Sequence, residues 1–384
     1  MAEEAWSRSP GAQHGAGVSS CPEASSFRGA IRQPVTTDDE AERLLLDLVA
    51  TPSPSGQEAE AARRLIAWMA AHGYAQAYLD AAGNAVGIVG RGDRDLVLLG
   101  HIDTFDGNPP VRVEGRRLYG RGAVDAKGPL CAFAVAGARA RPPAGMRLVV
   151  IGAVEEEAAT SKGARYALTQ FQPRACVIGE PSGWDRITLG YKGRLLLDWR
   201  WEGPLAHSAA QALSPAERAF GFWQRVQGYA GAVNVGATRA FERLLPSLRS
   251  VNTGENGVVG WAQMTVGLRL PPGLSPDTVA ATFASDDGAT VRAYGAEPAF
   301  VAERDTALSR ALRGAIRARG GQPRFVYKTG TSDMNVVGPV WRCPILAYGP
   351  GDSALDHTPD EHIDLDDYRR AIGVLTDAIG RLQL

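Results

Sequence analysis

Five short segments of this chain carry residue types that bind divalent cations and move protons. In order they are His101-Ile102-Asp103, Gly122-Ala123-Val124-Asp125, Glu155-Glu156-Glu157, Gly179-Glu180-Pro181 and Asp356-His357. Two divalent ions held close together need about six nitrogen and oxygen ligands, with carboxylates to offset charge and one carboxylate able to bridge. Two histidines and several acids supply that set. Any one segment alone is weak evidence; the combination reads as a two-metal hydrolase site.

Each segment has a specific chemical use. His101 and Asp103, two apart on an extended stretch, address one site from one face. The imidazole would bind metal and Asp103 would orient it. Asp125, flanked by glycines that permit close backbone approach, suits a bridging carboxylate. Three adjacent glutamates repel one another, so a ligand plus a general base is a better use of Glu155-Glu156-Glu157 than structure. Glu180 and His357 would complete the ligand shells. Read singly, His101 could be a buried histidine satisfied by Asp103, Asp125 a helix cap, and the glutamates a solvated acidic turn. His207 stands apart, in Pro204-Leu205-Ala206-His207-Ser208-Ala209. It suits polarising a substrate carbonyl after a lid closes or from a partner subunit. His14, His72 and His362 read as surface residues. No nucleophile–His–acid set, P-loop or G-x-G-x-x-G helix opening has the right surroundings, which argues against covalent catalysis and nucleotide binding.

The elements that must position these residues are legible from periodicity. Thr36-Thr37-Asp38-Asp39 opens a helix over 38–50, and 57–72 is an amphipathic helix ending at Gly73. Strands are expected at 75–79, 85–89, 95–100, 146–153 and 175–179, with a small-residue helix at 130–140. The last three of those strands deliver His101, the glutamates and Glu180. Apolar strands alternating with helices predict an α/β domain with a mixed, largely parallel sheet, whose site lies at the carboxyl ends of the strands. After 186 the pattern changes. Residues 195–202 alternate apolar and polar, a helix follows Ser214-Pro215-Ala216-Glu217, and 258–270 and 289–294 read as strands. This predicts an inserted α+β unit of βαββ type over 187–296, between catalytic segments 36–186 and 297–384. Residues 1–35 have no apolar core segment and read as a disordered extension or a misplaced start.

A net charge of -1 gives no sign of nucleic acid or an anionic membrane as partner. No apolar run reaches the roughly 20 residues of a membrane span. Cys21, Cys131, Cys176 and Cys343 are far apart, which argues against disulfides or a cysteine–zinc site and favours a reducing, cytoplasmic setting. Of 41 basic residues only Lys127, Lys162, Lys192 and Lys328 are lysine. In a chain so biased towards arginine, these four are candidates for places where a compact ammonium fits and a planar fork does not.

Taken together the segments resemble the M20 family of metallopeptidases and amidohydrolases, over roughly 38–384. The resemblance implies a zinc-exopeptidase-like catalytic domain, an inserted lid or dimerisation domain, a homodimer, and two Zn2+ per subunit with Co2+ as a possible substitute. It assigns His101 and Glu180 to one ion, Glu157 and His357 to the other, and Asp125 to both. Asp103 would orient His101, Glu156 would be the general base, and His207 would stabilise the oxyanion. The glutamate pair could instead be Glu155-Glu156.

Within the family, Glu155-Glu156-Glu157 with Thr160-Ser161-Lys162-Gly163-Ala164-Arg165, Gly190-Tyr191-Lys192-Gly193-Arg194, and Tyr327-Lys328-Thr329-Gly330-Thr331-Ser332-Asp333-Met334-Asn335 look like one branch. Its enzymes release lysine or ornithine from the C-terminal glutamate of a small acidic amino-group carrier protein, in lysine and arginine biosynthesis. By that resemblance Lys192, Arg194 and Lys328 are candidate carrier contacts, and Arg269 and Asn252 candidate substrate-carboxylate ligands. The rival readings are an N-acyl amino acid deacylase of the acetylornithine or succinyl-diaminopimelate kind, a dipeptidase, or a non-catalytic binding protein on the same fold.

Overall fold

The computed structural model describes residues 36–205, 207, 212–286 and 288–382. Among them the chain forms seventeen strands and nine α-helices, numbered in chain order. The reading of residues 1–35 lies outside the described residues.

A nine-stranded sheet is built from β1 (Gln76–Leu79), β2 (Ala85–Gly90), β3 (Gly92–His101), β6 (Gly145–Ala153), β7 (Ala175–Gly179), β8 (Arg186–Tyr191), β14 (Phe300–Val301), β15 (Arg324–Lys328) and β16 (Ile345–Ala347). Its centre, β6-β3-β7-β16, is parallel, while β1 and β2 on one side and β14 on the other pair antiparallel. Side chains alternate along the strands. Leu96 and Leu98 pack in the core under α1 (Asp38–Val49), α2 (Ala59–Ala71), α3 (Lys127–Arg139), α7 (Ala307–Ala318) and α9 (Leu365–Arg381). Val97 and Leu99 pack against α4 (Lys162–Gln170) and α8 (Asp333–Trp341). Both faces are covered, which is why these strands read as continuous apolar runs.

The expected N-cap of α1 is present as a capping box, in which Thr37 and Glu40 satisfy each other's backbone amides. Asp38, Asp39 and Glu40 in the first turn complement the helix dipole.

A second, wholly antiparallel sheet has the order β10-β11-β9-β13-β12. It comprises β9 (Gly193–Pro204), β10 (Leu245–Glu255), β11 (Val259–Leu270), β12 (Ser285–Asp286) and β13 (Ala289–Glu297). One face buries Leu195, Leu197, Trp199 and Trp201 against α5 (Pro215–Val233) and α6 (Pro276–Thr282). The chain passes between the two sheets at Lys192, after β8, which pairs with β15 and β16 in the large sheet, and before β9.

A small third sheet joins β4 (Arg112–Glu114), β5 (Arg117–Tyr119) and β17 (His362–Asp364). His362 pairs with Tyr119. That pairing carries the loop before β17 to the loop after β5, although the two are far apart in sequence.

Candidate metal centre

All four parallel central strands end at the same edge. His101 is the last residue of β3 and pairs with Ala153 of β6. Glu155–Glu157 follow β6, Glu180 follows β7, and the segment holding Asp356 and His357 follows β16. Asp125 arrives from the loop after β5. Two groups of ligand atoms result: His101, Asp125 and Glu180, then Asp125, Glu157 and His357, with every atom of a group within 4.8 Å of the others. His101 Nε2 lies 3.2 Å from Asp125 Oδ1. His357 Nε2 lies 2.9 Å from Asp125 Oδ2 and 2.8 Å from Glu157 Oε1. The two oxygens of one carboxylate thus face two different imidazoles, the geometry of a bridge.

Supporting residues hold this set. Asp103 is fully buried. Its carboxylate accepts from the Glu156 amide at 3.0 Å, the Glu157 amide at 3.0 Å and Ser55 Oγ at 2.7 Å. The nearer contact to His101 Nδ1 is the Asp103 carbonyl, at 2.9 Å, with the carboxylate at 3.5 Å. Asp103 therefore fixes the glutamate loop as much as it orients the imidazole. Glu361, buried in an ion pair with Arg121 at 2.7 Å, accepts from the amides of Val124 at 3.0 Å and Asp125 at 3.1 Å. The Ser182 amide donates to the Gly349 carbonyl, and any Cβ on Gly349 would lie 2.8 Å from the Glu180 carbonyl. Glu155 and His357 adopt left-handed φ of 56° and 61°. Non-glycine residues in that region cost about 1–3 kcal/mol each, and such strain clusters at functional sites. Phe105 stacks on the His357 ring at 4.5 Å.

Asp125, Glu156, Glu157, Glu180, Tyr191, Arg269, Lys328, Thr331, Asp356 and His357 all line one cleft of ≈ 230 Å³. Glu155 turns away, to Lys162 Nζ at 3.2 Å and Thr160 Oγ1 at 2.8 Å. The pair facing the cleft is therefore Glu156-Glu157. Burial first, and then neighbouring acids including Glu180, hold the Glu156 carboxyl well above the ordinary glutamate range. Burial also raises Glu157 and Glu180. Asp356 is pushed to about 8 by burial and by Asp125. Burial works against Asp125 as well, but His101 and His357 hold it well below the usual carboxylate range. The Tyr191 hydroxyl, Asp356 Oδ1 and Asp333 Oδ1 are buried without a hydrogen-bond partner. So many crowded carboxylates, with orphaned oxygens beside two converging imidazoles, form a donor set fitted to divalent cations.

The remaining candidates divide. Arg269 donates to Thr331 Oγ1 at 2.7 Å in the cleft wall. Lys328 lines the same cleft and donates to Ser353 Oγ. Arg194 is half-buried and donates to the carbonyls of Gly295 at 3.1 Å and Ala159 at 3.4 Å, tying the loop after the glutamates to the second sheet. Lys192 does not serve as an exposed carrier contact. Its side chain is buried and its ammonium donates to the carbonyls of Ala240, at 3.1 Å, and Arg243. Lys127 is spent in the same way on Leu48 at 2.9 Å and Thr51 at 2.7 Å. His207 and Asn252 are exposed and are not among the described residues lining the cleft. Both sit towards the far end of the second sheet: β9 begins beside the cleft and runs to Pro204, roughly 36 Å away at ~3.3 Å per residue.

Glu361 stands outside the motifs read from the sequence, and Asp333 and Tyr191 stand inside them without a role there. The signal of these two was an acid or hydroxyl inside a Gly-rich or apolar segment, which marks burial without saying what is held.

Comparison with known proteins agrees with this geometry. A LysW-lysine hydrolase of Deinococcus radiodurans is 48% identical over 359 residues, covering 90% of this chain and 98% of that protein. A LysW-lysine/LysW-ornithine hydrolase of Saccharolobus solfataricus is 27% identical over 344 residues, covering 88% and 93%. Among solved structures, the M20 family metallo-carboxypeptidase Sso-CP2 from Sulfolobus solfataricus shares the fold with a TM-score of 0.71 at 18% identity, covering 90% of this chain and 99% of that one. A Bacillus subtilis protein described as a dinuclear metal binding peptidase of the M20 family has a TM-score of 0.62 at 15% identity, over 89% and 97% of the two chains. The pattern of peptidase family M20/M25/M40 matches residues 97–381. The parallel-strand edge, the paired ligand groups and this match make the chain a hydrolytic enzyme acting on an amide bond and a member of peptidase family M20/M25/M40.

Proposed function

We propose that this enzyme releases lysine, or ornithine, from the C-terminal γ-glutamyl linkage of a small acidic amino-group carrier protein in lysine or arginine biosynthesis. The proposed location is the cytoplasm. The observation that carries the reading is the 48% identity, over nearly the whole of both chains, to the D. radiodurans LysW-lysine hydrolase.

Two Zn2+, with Co2+ as a substitute, would be held by His101, Asp125 and Glu180 and by Asp125, Glu157 and His357. When bound they polarise the scissile carbonyl and lower the pKa of water near them. Glu156, with a carboxyl held high by burial, takes the proton of the attacking water on a carboxylate oxygen and returns it to the leaving amine. Asp103 holds the Glu156 backbone in place by accepting from its amide. Arg269 faces the substrate carboxylate from the cleft wall. His207 donates to the developing oxyanion, as a fixed donor should. Asn252 joins Arg269 in gripping the substrate.

Since His207 and Asn252 lie towards the far end of the second sheet, they reach the cleft by closure of 187–296 as a lid or from a second copy. The exposed edge strand β10 and the exposed Leu248 and Val251 on it support a homodimer through this sheet.

The test is amine release, with zinc or cobalt supplied, from a carrier ending in γ-glutamyl-lysine or γ-glutamyl-ornithine and, separately, from N-acetylornithine. Cleavage of the carrier conjugate alone supports the proposal. Cleavage of the free acyl amino acid alone keeps the hydrolase and removes the carrier.

A further inference from the structure

The cleft, at ≈ 230 Å³, admits an amino acid and its linkage but no folded protein. If the substrate is attached to a carrier, as proposed above, the body of the carrier must rest on the outer surface near the cleft mouth. Lys192 is buried and cannot supply that surface.

Three arginines gather beside β15, which ends at Lys328 in the cleft wall. Arg304, Arg313 and Arg324 line a surface depression of ≈ 450 Å³ with Pro323, Phe325 and Tyr327, and no acidic residue lines it. The guanidinium of Arg304 lies 5.0 Å from the centre of the Phe325 ring and that of Arg313 5.6 Å from it. One half-buried ring thus brings two like charges together. Arg304 and Arg324 are exposed. Among the described residues none of the three forms an ion pair, whereas Arg310, on the same helix as Arg313, is paired with Asp305 at 3.0 Å. Like charges held together without a counter-ion cost energy, and an anionic partner offsets that cost.

Position points the same way. Arg324 opens β15 and Lys328 closes it, so the cluster stands roughly 13 Å from the cleft at ~3.3 Å per residue. A second depression beside the cleft, which shares Lys328 and Ser353 with it, fits an acidic partner less well. It carries Asp185, Asp352, Asp364 and Asp367.

We propose that Arg304, Arg313 and Arg324, set around Phe325, form the docking surface for the acidic body of the carrier protein, whose modified C terminus enters the cleft past Lys328. The inference rests on the carrier reading of the function.

The test compares two substrates: the carrier conjugate, and γ-glutamyl-lysine free of carrier. Arg324→Glu and Arg304→Glu are made singly and together, and Arg324→Gln serves as a milder variant if the reversals fold poorly. Docking predicts that each reversal raises KM for the conjugate about tenfold or more and leaves kcat and the free substrate unchanged. It also predicts that added salt raises KM for the conjugate in the wild type and has little effect in the double variant. Conjugate kinetics unchanged in folded variants would overturn the docking surface while leaving the function intact. An equal effect on both substrates would place the arginines in the cleft's own chemistry and also overturn it. A wild-type enzyme that leaves the conjugate intact overturns the function and the surface together.

Discussion

The edge where the parallel strands end and the far end of β9 are built in opposite ways. At the strand edge all the groups but His357 are buried or half-buried, and most are held by a second residue: Asp125 by Glu361, and Glu156 and Glu157 by Asp103. At the far end His207 and Asn252 are exposed. One region is finished within a single chain. The other becomes part of a site only when something brings it there. On the proposed mechanism the chemistry and its timing are separable: the strand edge would hold the metals and the base before any substrate arrives, and the second sheet would then decide when the reaction begins.

The sharpest way to break this comparison is at Glu156. Glu156→Gln should lower amine release by at least about a hundredfold with metal content unchanged by elemental analysis. Loss of metal in that variant would mean that Glu156 is a ligand and that the edge has no separate base. Next, chelation should abolish turnover and lower the melting temperature, and both should return with zinc or cobalt, because removing cations leaves crowded carboxylates uncompensated. A melting temperature unmoved by chelation would show an edge that holds itself without metal.

At the far end, His207→Ala should lower kcat by roughly 10²–10³ with little change in metal content. Mixing it with Glu156→Gln should restore part of the activity if His207 serves a second copy. No restoration at equal expression would favour closure within one chain. The smallest effects are expected at the buried lysines. Lys127→Arg and Lys192→Met should each lower stability by about 1–3 kcal/mol in denaturant unfolding. The first forces a fork into a pocket shaped for an ammonium, and the second leaves two carbonyls without their donor. Unchanged kinetics with the carrier in Lys192→Met would agree with its burial.

Three of the five segments are legible because they lie where an apolar run stops, and that is where a parallel strand exposes its last residues. His101, Glu156, Glu157 and Glu180 follow from that rule with no knowledge of the partners. Lys192 was misread as a surface contact for a physical reason. Its scarcity correctly marked a place for a compact ammonium, but scarcity cannot tell a carbonyl cage from an interface. β10 went unread because its segment, LPSLRSVNTGE, is a largely exposed edge strand with no apolar alternation. Glu361 gives no sequence signal, since its partners are amides more than 230 residues away. The arginine cluster could not be read at all. Arg304, Arg313 and Arg324 lie in three different elements, and 37 arginines leave no compositional signal.

The bridging role proposed for Asp125 bears on how the enzyme is made. His101, Asp125 and Glu180 are all synthesised before the second sheet. His357 follows Glu157 by 200 residues. At ~5–20 residues per second the ribosome needs roughly 10–40 s to cover that stretch. The first ligand group therefore exists in the nascent chain well before the second can close. The two halves of the centre differ in age, and a chain interrupted between Glu180 and His357 carries the older half alone.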